Sequence, residues 1–475
     1  MAEKAKFEEE TPQVKTKPAQ AQKILGLIEA TSCHALPNII RTQNHIVRSM
    51  WVVAFSASLI YSIISIVNMI IDYYDYEVVV SIEEVQDFEL EFPAITICNY
   101  NPIDYTQKGA IKTVEEYLFN VTNKTSNSFG YNNKGYGKDS CNQNYKQYFE
   151  SDSENFLKFG FPLDKMLIEC RYDAKPCTRD DFFPVNSILF GKCYSFNTGK
   201  SSNGSSTPVR KLARTGLDNG LKLELYVGAS EYLPCWMHEN GALVVVHNRS
   251  EPPLFIEEGV KLQTGVEANV GIKKGQLKML PRPYSDCVQD VYSADSYDSN
   301  SYRETVRRDK IYTQKWCILS CASILNAESN AKECSSHDLK CIKDVSNISS
   351  YFPECSSECP AQCECNHFKM HSNFAKYPSK AYAEYLLSDR DVLARFPYEN
   401  VSVEQLTGSV LALNVYYEKA VYQRIVETPR TSAITLISNL GGQLGLFLGV
   451  SLLSFVEIFE VLIEIGLAFV KKVFF

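Results

Sequence analysis

Two long apolar runs lie near the ends of this chain, at Ser49–Ile71 and Thr431–Val456, and neither contains an Asp, Glu, Lys or Arg residue. Each run exceeds the ~20 residues that an α-helix needs to cross the hydrocarbon core of a bilayer. The first run begins too far into the chain, and is too long, to be the apolar part of a cleaved signal peptide. The pattern predicts a membrane protein with two transmembrane helices, which we place at 49–71 and 431–470.

The segment between the runs, residues 72–430, has the features of an extracellular domain. Of the 16 cysteines in the chain, only Cys33 lies outside it, which is typical of a disulfide framework in an oxidising compartment. The segment also contains Asn-x-Ser/Thr sequons for N-glycosylation. These sequons begin at Asn120, Asn123, Asn203, Asn248, Asn347 and Asn400.

The positive-inside rule gives the same orientation. Basic residues precede the first run at Lys23, Arg41 and Arg48, and follow the second at Lys471 and Lys472. Residues 1–48 and 471–475 are therefore predicted to be cytoplasmic. The net charge of −8 argues against a nucleic-acid partner. It predicts either an acidic extracellular face that concentrates cations or an ordinary solvated surface.

The extracellular cysteines are odd in number, so at least one is free or paired outside the chain. The closely spaced Cys355, Cys359, Cys363 and Cys365 allow a metal site as an alternative, but they lack paired CxxC spacing and lie in a secreted segment. Disulfides are the favoured interpretation.

Periodicity between the runs predicts an α+β domain. Phe88, Leu90 and Phe92 alternate with polar residues, as in a half-buried strand. Further strands are predicted at 94–97, 221–227, 242–247 and 410–417, and helices at 311–325 and 379–387. The first of these helices places Cys317 and Cys321 on one face.

The second apolar run carries a glycine at every fourth position, at Gly441, Gly445 and Gly449, a spacing that lets helices approach closely in lipid. An ordinary packing face without a pore has the same pattern. Glu457, Glu460 and Glu464 follow at i, i+3 and i+7, however, and carboxylates in a membrane are costly unless they face water or a cation. A ring of such carboxylates attracts cations. A helix break at 449–451 would change which residues share a face.

These motifs resemble the family of degenerin, epithelial sodium and acid-sensing ion channels over nearly the whole chain. The most specific matches are the segment 441–451 (GGQLGLFLGVS) and the segment 92–99 (FPAITICN). Cys287, the Cys317/Cys321 pair, the segment 359–363 (CPAQC) and the segment 377–380 (YPSK) also match. An invertebrate branch of this family consists of channels opened directly by amidated RFamide neuropeptides, and the Asn-, Lys- and Tyr-rich composition of residues 120–148 is suggestive of that branch.

The resemblance implies a trimer whose subunits have a hand-like extracellular domain with palm, knuckle, finger, thumb and β-ball parts. It implies disulfides joining Cys98 to Cys193 and Cys170 to Cys177, and an aromatic contact between Tyr76 and Tyr284 that takes part in gating. The remaining implied sites are in the pore: a selectivity filter at Gly449, Val450 and Ser451, acidic residues at Glu457 and Glu460, helix packing at Gly441, Gly442 and Gly445, and an outer position at Asn439.

Departures from the family pattern bear on gating. His34-Ala35 stands where the family has a His-Gly pair in a re-entrant N-terminal segment, and alanine adopts positive φ less easily than glycine. Asn439 replaces a customary Asp. Acid-sensing members have two histidines directly after the first span, whereas this chain has Glu77 and Val78 there.

Together these features predict a trimeric, amiloride-blockable sodium channel of the plasma membrane that opens when an extracellular amidated neuropeptide binds. Calcium permeability and homomeric or heteromeric assembly stay open. The alternatives are an acid-gated or constitutively open sodium channel, and a glycosylated receptor or accessory subunit that does not conduct. No cofactor or metal site is expected. No catalytic motif is present in the sequence, so an enzyme is not expected.

Overall fold

We describe the chain from a computed structural model. The described residues are 35–104, 106–107, 110, 157–187, 190–211, 214–228, 239–255, 258–327, 353, 355–451, 454, 456, 459 and 463. The chain divides into two compact units. One comprises Met1–Val79 and Pro429–Phe475, and the other comprises Val80–Thr428.

The first unit is helical. Its described helices are α1 (Ala35–Arg41), α2 (His45–Tyr74) and α9 (Ala433–Leu448). The Asn44 side chain accepts a hydrogen bond from the Ile46 N–H at 2.9 Å and so caps the start of α2. Within the described residues, α2 is the one helix long and apolar enough to cross a membrane, and α9 is a shorter apolar helix.

The second unit contains most of the strands, and β1 and β13 each begin or end at its boundary with the first unit. The strands are β1 (Val78–Gln86), β2 (Ala94–Asn99), β3 (Leu167–Tyr172), β4 (Lys175–Pro176), β5 (Phe182–Ser187), β6 (Gly191–Phe196), β7 (Leu221–Tyr226), β8 (Gly241–His247), β9 (Gly259–Gln263), β10 (Val266–Lys278), β11 (Glu364–Lys376), β12 (Val410–Tyr417) and β13 (Val421–Pro429). Its helices are α3 (Leu163–Met166), α4 (Asn300–Asp309), α5 (Gln314–Ala327), α6 (Lys380–Ser388), α7 (Arg390–Leu393) and α8 (Val403–Ser409).

The larger sheet has eight strands in the order β1-β13-β10-β12-β7-β3-β4, with β11 paired to β10. Strand β12 lies near its centre, parallel to β10 and antiparallel to β7. All but one of the β12 residues are buried. Its run of Val, Leu and Ala therefore predicts a strand covered on both faces, and the structure has one.

The smaller sheet has five strands in the order β5-β6-β2-β8-β9. A buried polar chain crosses its middle three strands, because the Thr96 Oγ1 atom lies 2.5 Å from Ser195 Oγ and 2.7 Å from His247 Nε2. The other ring nitrogen of His247 lies 2.9 Å from the carbonyls of both Asn248 and Glu251, and must donate to them. Each of these three side chains is thus paired, as expected of buried polar groups.

Helices α4 and α5 pack around a separate core that contains Tyr302 and Tyr312. Two disulfides join α5 to the segment before β11, from Cys317 to Cys359 and from Cys321 to Cys355. Covalent links replace a large apolar core here, a solution common in secreted domains.

The strands predicted at 94–97, 221–227, 242–247 and 410–417 are confirmed as β2, β7, β8 and β12, and the two predicted helices as α5 and α6. The strand predicted from Phe88, Leu90 and Phe92 is wrong. Residues 88 and 89 form a turn, in which the Asp87 side chain accepts a hydrogen bond from the Glu89 N–H at 2.9 Å. Phe88 is 70% exposed whereas Leu90 and Phe92 are buried, so the alternation in sequence does not mark one face of a strand.

Candidate functional site

Helix α9 begins at a capped residue and ends at a glycine. The Ser432 side chain accepts a hydrogen bond from the Thr435 N–H at 3.1 Å. Gly449 has φ +70° and ends the helix, with its N–H donating to the Gly445 carbonyl at 3.1 Å. The left-handed conformation is cheap only for glycine, so the sequence breaks the apolar run at this position.

The chain resumes helical geometry soon after the break. The Ser454 side chain accepts a hydrogen bond from the Ser451 N–H at 2.9 Å, and the Ser454 N–H donates to the Ser451 carbonyl at 3.0 Å. The first of these is one of the two side-chain hydrogen bonds of a capping box at a helix start. Ser454, Val456, Phe459 and Ile463 are helical. Gly449, Val450 and Ser451 therefore form a short non-helical link between two helical segments.

The glycine face of α9 is open within the chain. A Cβ atom added to Gly441 or Gly442 would meet nothing within 4 Å, and one added to Gly445 would meet only the Val450 carbonyl oxygen at 3.8 Å. Asn439 is exposed as well. Among the residues that the structure describes, none packs closely on this face, so it has room for another helix.

Helix α2 contacts α9 through an aromatic pair, with the ring centroids of Tyr61 and Phe447 4.8 Å apart. Ser62, the next residue along α2, is 1% exposed, and its hydroxyl has no hydrogen-bond partner among the described residues. The Gln443 Oε1 atom of α9 is also buried and has no hydrogen-bond partner among the described residues.

Several predicted pore and gating residues lie outside the described residues. These are Glu457, Glu460, Glu464 and His34. Ala35 begins α1. The carboxylate ring below the break and the re-entrant His-Ala segment therefore stay predictions.

Tyr76 follows α2 in a left-handed conformation with φ +51°, and its ring lies 6.3 Å from that of Tyr73 and 6.2 Å from that of Tyr74. Tyr284 lies in a turn after β10, where its N–H donates to the Pro281 carbonyl at 3.1 Å. A non-glycine residue with positive φ stores strain, which often marks a functional position. The contact between Tyr76 and Tyr284 stays a prediction.

Glu77 has a partner that the sequence did not reveal. Its carboxylate forms an ion pair with the Arg430 guanidinium, and the Arg430 N–H donates to the Glu77 carbonyl at 2.9 Å. Glu77 follows α2 and Arg430 precedes α9, so the contact ties together the two segments that leave the helices. Opposite charges at corresponding distances from the two apolar runs were the signal that could have indicated it.

Five disulfides lie within the described residues. They include the pairs implied by the resemblance, Cys98–Cys193 and Cys170–Cys177. The others are Cys287–Cys363, Cys317–Cys359 and Cys321–Cys355. Cys365 is free and half-buried. Cys141, Cys235, Cys334 and Cys341 lie outside the described residues.

No group of three or more His, Cys, Asp or Glu side chains among the described residues is arranged to hold a metal ion. Three of the four cysteines in the 355–365 cluster form disulfides instead.

A cavity of about 490 Å³ lies on the larger sheet. Glu169, Glu224 and Glu267 line it in one cross-strand row with Ala412, because the register pairs Glu169 with Glu224, Glu224 with Ala412 and Ala412 with Glu267. The Tyr382 hydroxyl donates to Glu224 at 3.0 Å, yet burial dominates and raises the pKa of this carboxyl. This wall of the cavity is acidic.

A second carboxyl with a raised pKa follows β8. The pKa of Glu251 is raised to about 6. Burial is the main cause, the neighbouring Glu258 adds to the rise, and Lys315 opposes it. The segment that carries it contacts α5, because the Trp316 Nε1–H donates to the Pro252 carbonyl at 3.2 Å and Lys315 pairs with Glu258 at 2.5 Å. Glu251 is the described carboxyl best placed to change charge near pH 6.

The profile of the amiloride-sensitive sodium channel family matches residues 27–461. Acid-sensing ion channel 1A of Danio rerio is 27% identical over 452 residues, which cover 88% of this chain and 82% of that protein. Acid-sensing ion channel 1 of Gallus gallus is 26% identical, with 94% of this chain and 84% of that protein covered. Acid-sensing ion channel 2 of Rattus norvegicus is 26% identical, with 88% and 81% covered. The solved structure of a proton-activated chloride channel overlaps 87% of this chain and 96% of its own, but at a TM-score of 0.32 and 8% identity, so no conclusion is based on it.

Proposed function

This chain belongs to the amiloride-sensitive sodium channel family, and from that premise we propose that it forms a trimeric, amiloride-sensitive sodium channel of the plasma membrane, opened by an extracellular amidated neuropeptide. Two spans, α2 and the broken segment that includes α9, carry each subunit through the membrane. Both termini are cytoplasmic, and residues 72–430 face outward.

The break after α9 is the observation that carries the proposal of conduction. Gly449 ends the helix in a left-handed conformation that costs other residues about 1–2 kcal/mol, and Val450 and Ser451 after it are not helical. Irregular backbone at membrane depth is tolerated only where it is buried in protein or lines a water-filled cavity. In a symmetric assembly, three copies of 449–451 form a ring of backbone carbonyls and Ser451 hydroxyls, groups that replace the water around a cation.

The open glycine face of α9 supports assembly with other subunits. Gly441 and Gly442 have room for a neighbouring backbone, and small residues at such positions let helices pack closely in lipid. The polar Gln443 lies between these glycines and Gly445. A closed ring of identical or paralogous subunits would cover this face.

Gating by a peptide is supported by what replaces the family's acid-sensing histidines. Glu77 occupies one of the two positions and is held in an ion pair with Arg430, and Val78 cannot titrate. The net charge of −8 favours a cationic ligand with no free carboxylate, such as a peptide that carries arginine and ends in an amide.

Acid gating is the second candidate, because one observation favours it directly. Glu251 has a pKa of about 6 and lies at the contact between the segment after β8 and helix α5. The relatives named above are called acid-sensing channels. A proton that binds Glu251 would change the charge at this contact.

Voltage-clamp recording from cells that express this chain alone tests the proposal. The cells are challenged in turn with RFamide peptides at pH 7.4 and with pH 5 solution lacking peptide, each with and without amiloride. An amiloride-sensitive inward current evoked by peptide is the expected result. A current evoked by acid alone would replace peptide gating with acid gating. Surface-expressed protein that responds to neither would favour a non-conducting subunit or one that requires a paralogue.

A further inference from the structure

Three of the N-glycosylation sequons lie within the described residues, at Asn203, Asn248 and Asn400, and their surroundings differ. Attachment of a glycan joins the Asn Nδ2 atom to the anomeric carbon of a lipid-diphosphate-linked oligosaccharide. The lipid diphosphate leaves, and one of the two Nδ2 hydrogens is lost. The glycan is bulky and needs space around Nδ2 in the folded protein. The three sites can therefore be compared by what surrounds this atom.

Asn248 uses its Nδ2 group inside the fold. The group donates a hydrogen bond to Glu251 Oε1 at 3.2 Å, and Asn248 is half-buried. Its carbonyl accepts hydrogen bonds from the Glu251 N–H at 3.0 Å and from His247 Nδ1 at 2.9 Å. Asn248 is therefore fixed from both its side chain and its backbone.

A glycan on Asn248 would disturb the group that the amide supports. Glu251 is a largely buried carboxyl, and the Asn248 amide is one of the donors that offset its desolvation. The glycosylated amide keeps one hydrogen, but the sugar must occupy space beside this half-buried side chain and its hydrogen bond to Glu251. His247 lies beneath the same turn, fully buried in the polar chain that crosses the smaller sheet. A sugar at Nδ2 would have to displace this arrangement.

Asn203 presents the opposite geometry. Its Oδ1 atom accepts hydrogen bonds from the Ser205 N–H at 2.9 Å and from the Ser201 hydroxyl at 2.6 Å, which holds the side chain in a local turn. Its Nδ2 group has no partner among the described residues, and the residue is exposed. The turn presents this nitrogen to solvent.

Asn400 is also open. It is exposed, and its side chain has no hydrogen bond among the residues that the structure describes. Two residues later, Ser402 caps α8, with its side chain accepting from the Gln405 N–H and its N–H donating to the Gln405 side chain. The Asn side chain precedes this rigid helix start and leaves room for a glycan.

We propose that the mature protein carries N-glycans at Asn203 and Asn400 and none at Asn248, whose amide instead supports the Glu251 turn. The proposal rests on the extracellular placement of residues 72–430. Chains that receive a glycan at Asn248 during synthesis fail to close this turn and are retained before they reach the surface.

Glycopeptide analysis of surface protein tests this proposal. Full-length chain is expressed in mammalian cells, and the surface fraction is captured by biotinylation. A peptide N-glycosidase then acts in heavy-oxygen water, which converts each glycan-bearing Asn to a heavy Asp. The expected result is a heavy label at Asn203 and Asn400 and none at Asn248. A label at Asn248 in more than a trace of the surface pool would overturn the proposal, as would an unlabelled Asn203 or Asn400.

A gel-shift series provides a second readout that does not risk the fold. Ser250→Ala removes the sequon at Asn248 but keeps the Asn248 amide, and the Ser250 side chain is exposed. This variant should migrate like the parent, whereas Asn203→Gln and Asn400→Gln should each migrate faster by the step that one glycan contributes. A faster Ser250→Ala protein contradicts the proposal. Absence of glycan at all six sequons would instead contradict the extracellular placement, and so the two failures are distinguishable.

Discussion

The two units of this chain hold their structure in different ways. The unit Val80–Thr428 has buried strands, a paired polar chain and five disulfides among its described cysteines. The helical unit exposes many of its largest apolar residues, such as Ile60, Ile63 and Ile437, and the contact between its helices α2 and α9 includes one aromatic pair. The unit Val80–Thr428 buries its apolar residues within itself, whereas the helical unit leaves large apolar side chains uncovered, as expected of residues that contact lipid or neighbouring subunits.

Glycines show the same difference at the scale of a residue. Gly216 in the unit Val80–Thr428 and Gly449 in the helical unit both have positive φ, +95° and +70°. Gly216 begins a turn, and its N–H donates a hydrogen bond to the carbonyl of the buried Tyr417. This glycine therefore contributes to the stability of the fold. Gly449 breaks an apolar helix where no core requires a break. A side chain added at either glycine should therefore strain the backbone, with an effect on stability at Gly216 and on conduction at Gly449.

The largest effect is expected from the disulfides that join α5 to the segment before β11. Replacing both Cys321 and Cys355 with Ser opens a bridge that closes a 34-residue separation. The free energy of unfolding of the unit Val80–Thr428 should fall by about 2–5 kcal/mol, with a matching loss of surface protein. Thermal unfolding of purified protein and surface biotinylation measure the two effects. Cys365→Ser, which removes the free thiol, is the control and should change stability by about 1 kcal/mol or less.

Matched glycine substitutions separate the two units directly. Gly449→Ala and Gly216→Ala place a side chain at positive φ and should each cost about 1–3 kcal/mol locally. Gly449→Ala is expected to reduce unitary conductance several-fold and to leave the melting temperature of the unit Val80–Thr428 unchanged. Gly216→Ala is expected to lower that temperature and to leave conductance unchanged. If both variants behaved alike, the comparison between the units would be wrong.

Glu251 makes the stability of the unit Val80–Thr428 depend on pH. Its pKa is raised from 4.5 to about 6 in the folded state, so its contribution is fully present below pH 4.5 and is lost as the pH rises through 6. Glu251→Gln stays neutral and should be more stable than the parent at pH 7.5 by on the order of 1–2 kcal/mol, with the difference vanishing near pH 4.5. Melting temperatures across this range test the prediction. A constant difference would show that the Glu251 charge is not responsible.

The smallest effect is expected at the Glu77–Arg430 ion pair, because its side chains are 52% and 64% exposed. Glu77→Arg or Arg430→Glu alone should shift the half-maximal stimulus by a factor of about two to five, since exposed pairs contribute little. The charge-swapped double variant should restore the parent value. A double variant no better than either single one would mean that the two residues act separately.

Local patterns predicted much of the fold. The runs of β-branched and apolar residues that became β2, β7, β8 and β12 are buried, and burial is what such runs encode. The break at Gly449 could be anticipated from glycine and serine in an apolar helix. The segment at Phe88 could not, because a turn held by the Asp87 side chain has the same alternation as a strand.

Contacts between distant residues were harder to predict. Cys317–Cys359 and Cys321–Cys355 depend on how α5 packs against the segment before β11, and Cys287–Cys363 depends on how the segment after β10 meets it. Spacing along the chain determines neither arrangement. The raised pKa of Glu251 arises from burial by residues far away in sequence. The pairing of Glu77 with Arg430 spans almost the whole chain.

The central claim is that the link at Gly449, Val450 and Ser451 is the filter of a sodium channel. The most direct test is the reversal potential of the evoked current, measured with sodium outside and potassium inside, for the parent chain and for Ser451→Leu. The account predicts a strongly positive reversal potential in the parent and a clear shift towards zero in the variant. An unchanged reversal potential in a conducting Ser451→Leu channel would contradict the claim.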